Sequence, residues 1–187
     1  MKKWLQGLMP EGFPSLSSTV ISGPGETGKP LIAFAFILSR LKSNGSVIVI
    51  PLQYPTAEFM RISMSKLYNI NLENYRERIA YIQFDPSIDR YRKVGNNTLK
   101  ANLVKTTILN ETIKHAENMV EKSDLGTLVF DSALNLLFFS PTYKEKIVEC
   151  LRDIIKNDKS RTYLYAVSTS VFANEIKVLE DAVDNLM

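Results

Sequence analysis

Residues 18–30, Ser18-Thr19-Val20-Ile21-Ser22-Gly23-Pro24-Gly25-Glu26-Thr27-Gly28-Lys29-Pro30, decide the fold. A short β-branched run (18–22) stops at Gly23, and an apolar helical pattern begins at Leu31. A glycine-rich turn between a strand and a helix is the setting in which backbone N–H groups and a helix N-terminus cradle phosphates. The G-x-x-x-x-G-K spacing is complete from Gly23 to Lys29. At the next position, where such a loop needs Ser or Thr to ligate magnesium, stands Pro30. Proline is comfortable in the first turn of a helix, but it has neither the hydroxyl nor the N–H. A hydrogen bond to a charged group is worth roughly 1.5–3 kcal/mol, so the lost donor alone weakens nucleotide binding by about ten- to a hundredfold. Glu26 adds a carboxylate to a loop meant for anions and is expected to point outward. The alternative is a strand-to-helix turn that binds nothing.

Working outward, further apolar runs at 47–50 (VIVI), 79–84 (IAYIQF), 127–130 and 162–167 read as strands. Helical patterns cover 31–41, 56–68 and 99–120, and another opens at Ser140-Pro141, with Ile147, Val148, Leu151, Ile154 and Ile155 on one face. Nearly all-apolar strands separated by helices predict an α/β fold, a mainly parallel sheet of about five strands flanked by helices. Residues 85–97, polar and carrying Arg90, Arg92 and Lys93, read as an exposed loop.

The composition agrees. With 187 residues, 45% of them hydrophobic and 23% charged, the chain fits one domain over residues 1–187 and excludes disorder and collagen-like or mucin-like classes. The longest uncharged apolar run, 31–38, is too short to span a bilayer, so no membrane association is expected. One cysteine, Cys150, and one histidine, His115, leave no internal disulfide and no zinc cluster, and a reducing cytoplasm fits best. A formal charge of +3 permits contact with nucleic acid without requiring it.

Beyond the loop, the chain resembles the KaiC/RecA-like ATPases. Gly12-Phe13-Pro14 leading to the Ser18–Gly23 run is similar to the family's approach to its first core strand. Leu128-Val129-Phe130-Asp131-Ser132 looks like its Walker B strand, and Glu180-Asp181-Ala182-Val183-Asp184-Asn185-Leu186 is similar to the stretch leading to its closing strand.

The resemblance implies that Gly23, Gly25, Glu26, Thr27, Gly28, Lys29, Pro30 and Leu31 would line a site for ATP or ADP, with Lys29 on the β- and γ-phosphates. Asp131 would hold magnesium through water; it reads equally as an aspartate ending a strand or capping a helix at Ala133. The family's catalytic glutamate follows its second core strand, where this chain has Gln53 and Tyr54. Glutamine orients a water without taking its proton, and tyrosine is no base at neutral pH. Glu58 fits a solvated helix face. The family continues into antiparallel strands that reach a neighbour's nucleotide, whereas this sequence stops at Met187. These losses together imply a degenerate nucleotide-binding protein with little or no hydrolysis, acting as a regulatory or accessory subunit. A protein partner is expected, and a monomer or two-fold dimer rather than a hexamer. The alternative is an interaction module that binds no nucleotide, a scaffold for a protein or single-stranded nucleic acid.

Other candidates carry less chemistry. Cys150 reads as a small core residue and His115 as a helix-surface residue. Ser168-Thr169-Ser170 follows the fifth predicted strand and suits either a phosphate contact or a helix N-cap. Arg76, Arg78, Arg90, Arg92 and Lys93, interleaved with Tyr75, Tyr81 and Tyr91, suit either a solvated rim or single-stranded nucleic acid. Trp4, Leu5, Leu8 and the pair Phe138-Phe139 are candidate apolar contacts, the pair serving equally well as core.

Overall fold

The computed structural model describes Gly7 and residues 14–52 and 56–187. Gly12, Phe13, Trp4, Leu5, Leu8, Gln53 and Tyr54 lie outside the described residues.

The chain alternates strand and helix as the patterning requires. The strands are β1 (Ser18–Gly23), β2 (Ser46–Ile50), β3 (Ile79–Phe84), β4 (Tyr91–Gly95), β5 (Thr98–Ala101), β6 (Thr127–Asp131), β7 (Thr162–Ser168) and β8 (Asn185–Leu186). The helices are α1 (Lys29–Lys42), α2 (Ala57–Tyr68), α3 (Thr106–Glu117), α4 (Lys144–Asn157) and α5 (Ala173–Glu180). One sheet runs β4-β5-β3-β2-β6-β7-β1-β8, parallel throughout except for the β4/β5 pair. The five predicted strands form its centre, β3-β2-β6-β7-β1, and β4, β5 and β8 extend it to eight.

Successive strand residues point to opposite faces, and both faces are covered, which is why the central strands are apolar without alternation. On one face, Phe34 and Phe36 of α1 and Met60 and Met64 of α2 pack on Ile21, Val47, Val49, Phe130 and Leu164. On the other, Leu109 of α3, Leu151 of α4 and Leu179 of α5 pack on Val20, Ile48, Ala80, Val129 and Tyr165. The Thr56 hydroxyl caps α2 by accepting the Phe59 N–H at 3.1 Å. No helix among the described residues is long and apolar enough to cross a membrane.

Three expectations are corrected. Residues 85–97 are not simply a loop, because Tyr91–Gly95 is an exposed edge strand antiparallel to β5. The helix expected from Leu99 starts at Thr106: Leu99 and Ala101 are buried while Thr98 and Lys100 are half-buried, a strand alternation. Ser140-Pro141 opens a 3-10 turn, Pro141–Tyr143, and α4 follows it.

Candidate functional site

The glycine-rich turn lies where the sequence puts it, at the carboxyl end of β1. Gly28 is the N-cap of α1 and takes the left-handed conformation (φ 79°), which glycine adopts without a Cβ penalty. Lys29 is then the first helical residue and Pro30 the second. The Leu31 N–H donates to the Gly28 carbonyl at 2.8 Å, and Leu31 itself is exposed at the mouth of the turn. Glu26 is also left-handed (φ 63°), an unfavourable conformation for a residue with a side chain, and it is exposed as expected.

Lys29 is buried, and its ammonium folds back onto the turn. It donates to the Gly23 carbonyl at 2.9 Å, to the Pro24 carbonyl, and to the Thr27 hydroxyl at 3.2 Å. Burial lowers its pKa. The Thr27 hydroxyl in turn donates to the Pro24 carbonyl at 2.9 Å.

The segment after β7 completes the wall of the site. The Thr169 N–H donates to the Gly23 carbonyl at 2.9 Å, and the Gly25 N–H donates to the Ser170 hydroxyl at 3.0 Å. A Cβ on Gly25 would meet the Ser170 and Ser168 hydroxyls at 3.6 and 3.9 Å. Of the two readings of Ser168-Thr169-Ser170, the helix cap is corrected: the N-cap of α5 is Phe172, with no side-chain cap bond. The Ser168 and Ser170 hydroxyls lie against the glycine-rich turn, because β7 is hydrogen-bonded to β1 and ends beside it.

Asp131 ends β6 and is 2% exposed. Among the described residues its Oδ1 has no hydrogen-bond partner, and the adjacent Ser132 hydroxyl is buried and unpartnered too. Desolvation pushes the Asp131 carboxyl up to about 8, against which the Ser132 backbone N–H acts weakly. The capping alternative is not realised: the 3-10 turn Ala133–Phe138 has Ser132 as its N-cap, without a side-chain bond. A buried carboxylate oxygen lacking a donor suits a cation or its water, and Asp131 could supply that contact; Pro30 could not. Asp131 pairs in register with Ile50 of β2.

The remaining candidates are scattered. Among the described residues no group of three His, Cys, Asp or Glu side chains could hold a metal ion. Cys150 is half-buried on α4, where burial and Asp153 push its thiol up. His115 is exposed on α3, with its ring 5.2 Å from that of Tyr91. The basic and aromatic residues do not share one face. Tyr81 is 3% exposed, Arg78 donates to the Leu41 carbonyl and Asn44 and lies over the Tyr75 ring, and Arg90 pairs with Glu111. Phe138 and Phe139 are 59% and 58% exposed, so the pair is surface and not core.

No protein-family model and no curated protein sequence matches the chain. Its fold is similar to that of a KaiC-like protein from the hyperthermophilic archaeon Pyrococcus horikoshii, at TM-score 0.69 and 16% identity, covering 97% of this chain and 74% of that one. It is also similar to an uncharacterized Pyrococcus horikoshii protein solved in complex with an unknown peptide, at TM-score 0.69 and 13% identity, covering 97% and 80%. At such identities the likeness speaks for the architecture alone, and that architecture, a mostly parallel sheet between two helical layers, is a KaiC/RecA-like α/β core.

Proposed function

We propose that the chain is a degenerate RecA/KaiC-like nucleotide-binding unit, holding ATP or ADP weakly at the turn lined by Gly23, Gly25, Thr27, Gly28 and Lys29, with little or no hydrolysis. The observation that carries this reading is the start of α1. A buried lysine enters through a left-handed glycine, as phosphate binding requires, and the next residue is a proline that can neither ligate magnesium nor donate an N–H. Gln53 at the position of the expected base adds to it. A protein of this kind acts by reporting nucleotide occupancy to a partner, as a regulatory or accessory subunit, and works as a monomer or two-fold dimer.

Calorimetric titration of ATP and ADP, with and without magnesium, tests it. The expected result is weak binding that magnesium barely changes, with turnover at background. A magnesium-dependent rate abolished by Lys29→Ala would overturn the reading, as would a nucleotide-dependent hexamer in light scattering.

A second reading, a protein-interaction module whose turn binds no nucleotide, draws support from exposed apolar side chains at the same end of the sheet. Phe138 packs edge-on against Phe172 with centroids 4.9 Å apart, and Val171 and Tyr143 are exposed nearby in sequence. The structural neighbour solved with a peptide bound is consistent with it. Complete absence of nucleotide binding in the same titration favours this second reading.

A further inference from the structure

Ser170, whose hydroxyl accepts the Gly25 N–H at 3.0 Å, is followed by Val171 and then by Phe172, the N-cap of α5. Phe172 is left-handed (φ 58°, ψ 40°), a conformation that costs free energy for any residue with a Cβ and is an outlier for a bulky one. Such a conformation persists only where its surroundings hold it, and it is a place to look for a switch.

The holding contacts lie on both sides. Away from the turn, the Phe172 ring meets Phe138 edge-on at 4.9 Å, and the Lys144 ammonium stands 5.3 Å from its centroid while pairing with Glu175 in the first turn of α5. Phe138 is 59% exposed, so this ring pair is a surface feature. Toward the turn there are two bonds of different kinds. The Thr169 N–H donates to the Gly23 carbonyl at 2.9 Å, extending the pairing of β7 with β1, and a phosphate has no use for that carbonyl. The Ser170 bond takes up an N–H of the glycine-rich turn, the type of donor that such a turn offers to an anion. A phosphate oxygen is a stronger acceptor than a neutral hydroxyl.

We infer that Ser170 is a latch coupling occupancy of the turn to the Phe138–Phe172 surface: a phosphate in the turn takes the Gly25 N–H, Ser170 lets go, and Phe172 leaves both its strained conformation and the Phe138 ring. The inference rests on the nucleotide binding proposed above, and it supplies the path by which occupancy reaches a partner. Coupling between two sites is reciprocal. Whatever weakens the latched arrangement therefore strengthens binding at the turn.

Calorimetric titration of ADP into the full chain compares the wild type with Ser170→Ala, Ser170→Thr and Phe138→Ala. Ser170→Ala removes the acceptor and should bind ADP about fivefold more tightly, the scale of one neutral hydrogen bond. Ser170→Thr keeps the hydroxyl and should restore most of the wild-type affinity. Phe138→Ala truncates an exposed ring and should tighten ADP binding about two- to tenfold, the scale of one aromatic pair. The Phe138 ring resonances in NMR spectra should also shift in Ser170→Ala with no nucleotide added. If the wild type binds ADP but Ser170→Ala binds it equally or more weakly, or Phe138→Ala leaves the affinity unchanged, the latch is overturned and the nucleotide reading stands. If none of the four proteins binds ADP at millimolar concentration, the nucleotide reading falls and the Phe138 resonances alone decide the latch. Unchanged resonances overturn it in either case.

Discussion

The ammonium of Lys29 donates to the carbonyl of Gly23 at 2.9 Å, closing the glycine-rich turn on its own lysine. With the Pro24 carbonyl and the Thr27 hydroxyl as further acceptors, all three of its protons are engaged inside the turn. The lysine therefore stabilises the turn, and a phosphate must replace these bonds to bind. Lys29→Met, which keeps the stem and removes the donors, should lower the unfolding free energy by about 1 kcal/mol in the absence of any nucleotide. Urea denaturation of both proteins measures it; unchanged stability would mean the bonds contribute nothing.

Glu26 combines a left-handed backbone (φ 63°) with a negative charge in a turn suited to anions. Glycine at this position relieves a strain of about 1–2 kcal/mol, offset in part by the greater freedom of the unfolded chain. Glu26→Gly should be neutral to about 1 kcal/mol more stable and should bind ADP more tightly, because the repulsion between carboxylate and phosphate is gone. Titration of ADP into the variant at two salt concentrations checks the second part: the gain should shrink at high salt.

The centre of the sheet was legible because each of its strands is an apolar run ended by a residue that stops it. Gly23 closes β1 and Pro51 follows β2, and the observed bounds fall within a residue of those expected. The β4/β5 hairpin was hidden because an edge strand need not be apolar: Arg92, Lys93 and Val94 are all exposed. Its one local signal was Gly95-Asn96-Asn97, a turn-forming stretch between Val94 and Thr98. At the site, the turn could be read from spacing and Asp131 from the resemblance of residues 128–132 to a Walker B strand, whereas the bond from Gly25 to Ser170 spans 145 residues and depends on β7 lying beside β1.

Asp131 gives a pH dependence with a definite sign. Its folded-state pKa, about 8, lies above the ordinary 3.8, so the folded protein binds the extra proton. The stability this protonation gives is full below about pH 4 and is lost as pH rises through about 8. Asp131→Asn cannot lose that proton. The difference in unfolding free energy between variant and wild type should therefore grow in the variant's favour from pH 4 to pH 8 and then level off. Chemical denaturation at several pH values measures the difference, and a flat one would show that the carboxyl is ionised at its ordinary pKa.

Gly45 holds open the space taken by a buried arginine. Arg40 donates to the Ser15 hydroxyl at 3.1 Å, to the Thr162 hydroxyl and the Gly126 carbonyl at 3.2 Å each, and to the Leu125 carbonyl. It thereby fastens the turn before β6 to α1 and the start of β7. A Cβ on Gly45 would stand 2.6 Å from Cδ and 2.7 Å from Cγ of Arg40, in the middle of a side chain whose head is held by those bonds. Gly45→Ala should therefore cost about 1–3 kcal/mol, the usual range for overpacking. Gly95→Ala is the control, because its Cβ would meet Thr98 at 3.5 Å, an ordinary contact, and the change should stay within about 0.5 kcal/mol. If Arg40 is the cause, Arg40→Ala should remove most of the difference between glycine and alanine at position 45 in a double-mutant cycle. Equal penalties at position 45 with and without the Arg40 side chain would place the strain in the backbone instead.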